Sequence, residues 1–125
     1  MISQEFLTKI KQITSSDTSS DPEGWTLDNP LWGHCAVVSL LAQDYFGGTI
    51  FRGSLEGIDK YIYLRSHYWN SLPEGEIDFT AEQYPDLKFS DLLKGERSRE
   101  QILSYPDTER RYMLLKKRFD DVLSK

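Results

Sequence analysis

Residues 35–46, CAVVSLLAQDYF, constrain this chain more than any other stretch. Ala36, Val37, Val38, Leu40, Leu41 and Ala42 spread apolar side chains around most of a helical circumference. A helix with one apolar stripe lies on a surface, whereas one that is apolar nearly all round must be enclosed. The sequence therefore predicts a largely buried central helix over 34–46. Gly47-Gly48 ends it, because glycine takes the left-handed C-terminal conformation without a Cβ clash. A chain of 125 residues is read as one domain, 1–125, large enough to cover such a helix. Its 13% aromatic content is that of a globular protein and not of a disordered chain.

The surrounding segments supply the cover. Phe6, Ile10 and Ile13 recur at helical spacing with Leu7 beside them, which predicts a short amphipathic helix. TSSDTSSDPEG, at 14–24, is polar and rich in Ser and Asp and reads as a flexible loop. TIFRG, at 49–53, reads as a strand, and KYIYLRSHYWN, at 60–70, as a longer one. LPEGE reads as a turn and IDFT, at 77–80, as a short returning strand, making a hairpin from about Tyr61 to Thr80. Thr80 with Gln83, and Ser98 with Gln101, have capping-box spacing, so a short helix is expected at each. The last helix starts near Pro106, with Asp107 and Glu109 at its positive end. Tyr112, Leu115, Phe119 and Val122 form its apolar stripe. The order is α+β, without the alternation of a doubly wound sheet.

Charge and cysteine content remove several function classes. A net charge of −5 argues against sequence-independent nucleic-acid binding, and Lys116-Lys117-Arg118 reads as a solvated helix face. One cysteine allows no intrachain disulfide. The first residues, MISQEFLTKIKQIT, lack the apolar centre of an export signal, and no apolar run approaches a membrane span. A cytoplasmic protein that binds no membrane is expected. Cys35, His34 and His67 are too few for a four-ligand zinc site, and GGTIFRG lacks the spacing and the lysine of a phosphate loop. No metal or organic cofactor is expected.

What remains is the start of the central helix. Cys35 follows Trp32-Gly33-His34 and opens the apolar run. A thiol in the first helical turn faces unpaired backbone N–H groups and the positive end of the macrodipole, which favour thiolate. Those N–H groups can also receive the oxyanion formed when a carbonyl is attacked. The expected base is His67, in the long strand, where Tyr61, Tyr63, Arg65, His67 and Trp69 share one face. Asn70 falls on the other face with Ile62, Leu64, Ser66 and Tyr68, so Asp78 is preferred as the group that orients the imidazole. If Asn70 pairs with Gly75, His67 lies opposite Asp78; a shift of two makes the pair diagonal, and a shift of one turns Asp78 away. Each residue also has an ordinary reading: a core thiol, a structural histidine, a strand-end aspartate.

Other candidates surround these three. His34 is adjacent to the thiol, but neighbours on a helix diverge by about 100°. It is expected to serve an oxyanion pocket or touch substrate, or else to be an exposed or capping residue. Trp25, Trp32 and Trp69 are candidates for lining a cleft, with packing their ordinary role, and Asn70 is a further substrate or oxyanion contact. Arg110, Arg111 and Tyr112 read better as helix surface than as an anion-binding corner, and Asp44, Glu74 and Glu76 as solvated.

A cysteine opening a helix, then a strand histidine, then a hairpin aspartate is a layout that resembles papain-like and transglutaminase-like folds. The blocks NPLWGHCAVVSLLAQDYFGGTI, SHYWNSLPEGEIDFTAEQYP and TERRYMLL resemble the YunG family of small bacterial proteins over roughly residues 25–115. In that family the residue before the cysteine is often glutamine, a natural oxyanion donor; here it is His34. The family resemblance implies no particular reaction. The residues themselves lead to a cysteine hydrolase or acyltransferase acting on an amide, thioester or ester carbonyl through Cys35, His67 and Asp78. Its substrate would be a small or peptide-like acyl compound. The alternative is a non-catalytic binding module with a protein partner, or a degenerate enzyme whose cysteine is structural.

Overall fold

The computed structural model describes residues 1–58, 65–89 and 92–124. Within them the apolar run forms helix α2, Cys35–Phe46, with Cys35, Val37, Val38, Ser39, Leu40, Leu41 and Ala42 buried. Gly47, at φ 73°, ends it and returns its N–H to the Gln43 carbonyl. Helix α1, Ser3–Ile13, buries the expected Phe6, Ile10 and Ile13.

Among the described residues four antiparallel strands form one sheet: β1 Thr49–Ser54, β2 Ser66–Leu72, β3 Gly75–Ile77 and β4 Lys94–Arg97, in the order β3-β2-β1-β4. Helix α3, Arg99–Leu103, starts at a capping box formed by Ser98 and Gln101. Helix α4, Pro106–Leu123, has proline in its first turn and buries Tyr112, Leu115 and Phe119. The architecture is mixed α+β.

The sheet separates two apolar clusters. Helices α1, α2 and α4 pack with Ile50 and Leu72 around the fully buried Phe6 and Phe119. Truncating either ring to alanine costs about 3–5 kcal/mol, because a cavity replaces a close-packed side chain. The smaller cluster holds Leu55, Trp69, Tyr84 and Leu92, with Trp32 and Phe89 against it.

Four expectations need correction. Within the described residues the strand read at 60–70 starts at Ser66, after Arg65 at φ 68°, and runs to Leu72, so the turn read over LPEGE narrows to Pro73-Glu74. The returning strand is Gly75–Ile77 and not 77–80. The chain leaves the sheet at Asp78 because that carboxylate captures the Thr80 N–H (3.1 Å) and hydroxyl (3.3 Å), a local turn that competes with strand pairing. Strand β4 was not expected: Lys-Gly-Glu-Arg has no apolar alternation, and charge suits an edge strand that must not recruit another chain. Residues 14–24, read as a flexible loop, contain a 3-10 turn at Ser16–Thr18, and Thr18 and Ser19 are buried. The readings for Tyr61, Ile62, Tyr63 and Leu64, and the start of the hairpin, lie outside the described residues.

Candidate functional site

The thiol is delivered by a loop held from several directions. Gly33 has φ 74°, a left-handed conformation, and a Cβ there would collide with the Ser19 hydroxyl. Glycine is therefore required by both conformation and space. The Ser19 hydroxyl donates to the Trp32 carbonyl (2.7 Å), and the Ser20 N–H to the Gly33 carbonyl (2.9 Å). The Ser/Asp-rich segment thus clamps the entry to α2.

His34 belongs to this clamp. It is fully buried, neither exposed nor capping, since its side chain makes no cap bond to α2. Its Nδ1 lies 2.9 Å from the Trp32 carbonyl and its Nε2 2.6 Å from the Thr18 hydroxyl. A carbonyl only accepts, so Nδ1 carries the proton and Nε2 receives the hydroxyl. Burial favours this neutral form and lowers the His34 pKa from 6.5 to about 4, overriding the hydrogen bond to Trp32. Both ring nitrogens are occupied, and neither is offered to a substrate.

His67 is equally buried and differently used. It sits on β2, 1% exposed, with Nε2 2.6 Å from Asp78 Oδ2. The pairs Asn70↔Ile77 and Leu72↔Gly75 put the hairpin two positions from the register that sets His67 opposite Asp78, so their contact is the diagonal one. Burial opposes an imidazolium here, yet Asp78 and the Cys35 thiol outweigh it and raise the His67 pKa from 6.5 to about 10. Nδ1 is buried and has no well-formed hydrogen bond among the described residues, although the Cys35 thiol acts on the same ring. A buried nitrogen whose neighbour is a weakly bonding thiol, and not a well-placed carbonyl or hydroxyl, calls for an explanation.

Cys35 also acts on Tyr68, the next residue along β2, whose phenol is raised first by burial and then by the thiol. His67 and Tyr68 point to opposite faces of the strand. Among the described residues β3 pairs with 70–72 and not with 66–69, and the one thiol acts on both rings at that end of β2. Cys35 is 9% exposed and opens on a cavity of about 160 Å³ with Gly33, Tyr68, Tyr105, Thr108 and Arg111 on its wall.

A chain of hydrogen bonds ties the two halves together. The Gly33 N–H donates to Gln83 Oε1 (2.9 Å), and Gln83 Nε2 donates to Thr80 Oγ1 (2.9 Å). The Thr80 hydroxyl and N–H both donate to Asp78, which holds His67. Gln83 and Thr80 are buried. The spacing of Thr80 and Gln83 marked only a helix start, and no local pattern announces that Gln83 reaches the loop before the cysteine. Thr18, Tyr68 and Gln83 are the site residues that sequence reasoning missed.

The remaining candidates fall elsewhere. Trp69 is 1% exposed, stacks on His67 at 5.9 Å and donates to Glu76 (3.0 Å), so it walls the imidazole and does not line an open cleft. Trp32 packs edge-on against Tyr84 at 5.7 Å and donates to Asp21 (2.9 Å). Asn70 lies on the α2 side of the sheet and donates to the Ser39 carbonyl (3.0 Å), whereas His67 is held by Asp78. Arg111 is not helix surface: its side chain is 5% exposed, pairs with Asp107 and reaches the Thr18 carbonyl. Nor are two of the acids simply solvated, for Asp44 pairs with Arg99 and Glu76 with Lys94.

Among the described residues no group of three His, Cys, Asp or Glu side chains forms a metal cluster, and no helix is long and apolar enough to cross a membrane. The family model "YunG protein" matches residues 3–124. This chain belongs to the YunG family. "Uncharacterized protein YunG" of Bacillus subtilis (strain 168) is 37% identical over 75 residues, which is 60% of this chain and 56% of that protein. The match thus spans little more than half the length of that relative. No solved structure matches this YunG-family chain.

Proposed function

We propose that this YunG-family chain is a cytoplasmic, papain-like cysteine hydrolase or acyltransferase that acts on an amide, thioester or ester carbonyl of a small or peptide-like acyl compound. The observation that carries the reading is the His67 ring. One nitrogen is bound to Asp78, the other is buried and otherwise unpaired, and the helix-start thiol acts on that same ring. A purely structural histidine has both nitrogens satisfied, as His34 does.

In this reading the Cys35 sulfur attacks the carbonyl carbon while its proton rests on His67 Nδ1. The carbonyl electrons move to oxygen, where first-turn N–H groups of α2 receive the charge. The bond to the leaving atom then breaks as His67 returns the proton to it. Water or an amine attacks the resulting thioester, gives its proton to His67, and releases the thiol. Asp78 fixes the ring and stabilises imidazolium throughout.

Alkylation of native protein by iodoacetamide tests the idea directly. Cys35 should react readily at about pH 6, and His67→Ala should slow that rate by about ten-fold or more. Asp78→Asn should slow it less, because an amide orients the ring without stabilising its charge. Modification only after denaturation would sink the proposal. That outcome belongs to the competing reading, a non-catalytic or degenerate module, which draws on the low exposure of the thiol.

A further inference from the structure

A second cavity, about 310 Å³, adjoins the one that holds Cys35; the two share Tyr68, Ile102 and Tyr105 on their walls. The far end of this second cavity carries Arg52 of β1 and Arg97 of β4. Arg52 pairs with Gly95 and Ile50 with Arg97, so the two arginines lie diagonally on adjacent strands and on one face of the sheet. Two guanidinium groups so placed repel each other unless an anion lies between them.

Among the described residues no carboxylate answers them. Arg99, Arg110, Arg111 and Arg118 each pair with an aspartate, whereas Arg52 and Arg97 have no carboxylate partner among the described residues. Among the described residues no acidic side chain lines the cavity, in a chain whose net charge is −5. Arg97 donates to the carbonyl of Glu96, its own neighbour (3.0 Å), which leaves other guanidinium N–H groups to bind. Tyr68 borders both cavities and links the thiol to the arginines.

We propose that this groove receives the anionic end of the acyl substrate, a carboxylate or phosphate group held by Arg52 and Arg97 while the carbonyl lies at Cys35. The inference rests on the proposed nucleophile and adds to it a substrate class: acyl compounds that carry a negative charge at a distance from the scissile bond. Guanidinium forks match both carboxylate and phosphate oxygens, and an enclosed groove strengthens the attraction.

Two measurements test it. The first compares the rates at which 6-maleimidohexanoate and its neutral amide modify Cys35. The carboxylate should react about five-fold faster or more, and the preference should vanish in Arg52→Gln/Arg97→Gln, checked for folding by circular dichroism. The second titrates Cys35→Ala protein with glutarate and, separately, with inorganic phosphate, followed by nuclear magnetic resonance. Saturable binding of at least one anion is expected, lost in the same arginine background; the better binder identifies the group. A single Arg97→Gln, on the edge strand, repeats both measurements should the double variant unfold. Equal rates for the two maleimides, or no arginine-dependent anion binding, overturns the subsite and leaves the nucleophile standing. A thiol inert to both reagents overturns the nucleophile instead, and with it the assignment of the groove to its substrate.

Discussion

His34 and His67 are both wholly buried, and each lies beside one end of the Cys35 region, yet their surroundings drive them to opposite states. His34 meets a carbonyl and a hydroxyl, no carboxylate touches its ring, and burial pushes its pKa down to about 4. His67 meets Asp78 and a thiol, and these raise it to about 10 although burial lowers it too. Burial alone therefore says nothing about the role of a histidine. The difference lies in whether an anion accompanies the ring into the low-dielectric interior.

The sharpest way to break the comparison is to remove each ring. His67→Ala leaves Asp78, with a side chain 6% exposed, without its partner, and should cost about 3–5 kcal/mol, read as a lowered denaturant midpoint. His34→Ala abandons a carbonyl and a hydroxyl but no charge, and should cost less, about 1–3 kcal/mol. It should also leave the pH dependence of alkylation in place. If the His34 variant flattened that dependence as the His67 variant does, the division of labour between the two rings would be wrong.

Titration sharpens the same contrast with the sign of each effect. The His67 pair contributes stability that is fully present below pH 6.5 and is lost as the pH rises through about 10. For His34 the folded state prefers the neutral ring, so the unfolded chain takes up the proton first. Stability should fall as the pH drops from 6.5 toward 4. Thermal midpoints across pH for His67→Gln should lose the alkaline slope, and those for His34→Gln should lose part of the acid slope. An alkaline slope that survives in His67→Gln would refute the pairing of imidazolium with Asp78.

Smaller effects test the supports of each ring. Gln83→Leu leaves the Gly33 N–H without its acceptor and should cost about 1–3 kcal/mol while slowing alkylation, because it loosens the loop that delivers the thiol. Thr18→Val deletes the hydroxyl on His34 and should cost about 1 kcal/mol, with alkylation unchanged. Asn70→Ala should likewise lower stability through its lost bond to Ser39 and leave the thiol reactivity near wild type. A collapse of low-pH reactivity in that variant would reassign the orienting role from Asp78 to Asn70.

Sequence pattern by itself determined the central helix, the amphipathic helices at either end, the β1 segment and the presence of a strand through His67. Each depends on a periodicity of 3.6 or 2 that apolar side chains write locally. The alternation also separated His67 from Asn70. Tertiary structure decided the rest. Hairpin register could only be bracketed from sequence, and the diagonal contact of His67 with Asp78 follows from a two-residue turn and the early exit of β3. Residues 14–24 read as solvated because Ser and Asp are polar, but their hydroxyls find buried partners that lie 13–16 positions away, at Trp32 and His34. Gln83 reaches Gly33 across 50 positions. Hydrogen bonds between distant polar groups leave no periodic mark along a chain, so the neutral state of His34, the charged preference of His67 and the loop that carries Cys35 to its place are properties of the folded molecule alone.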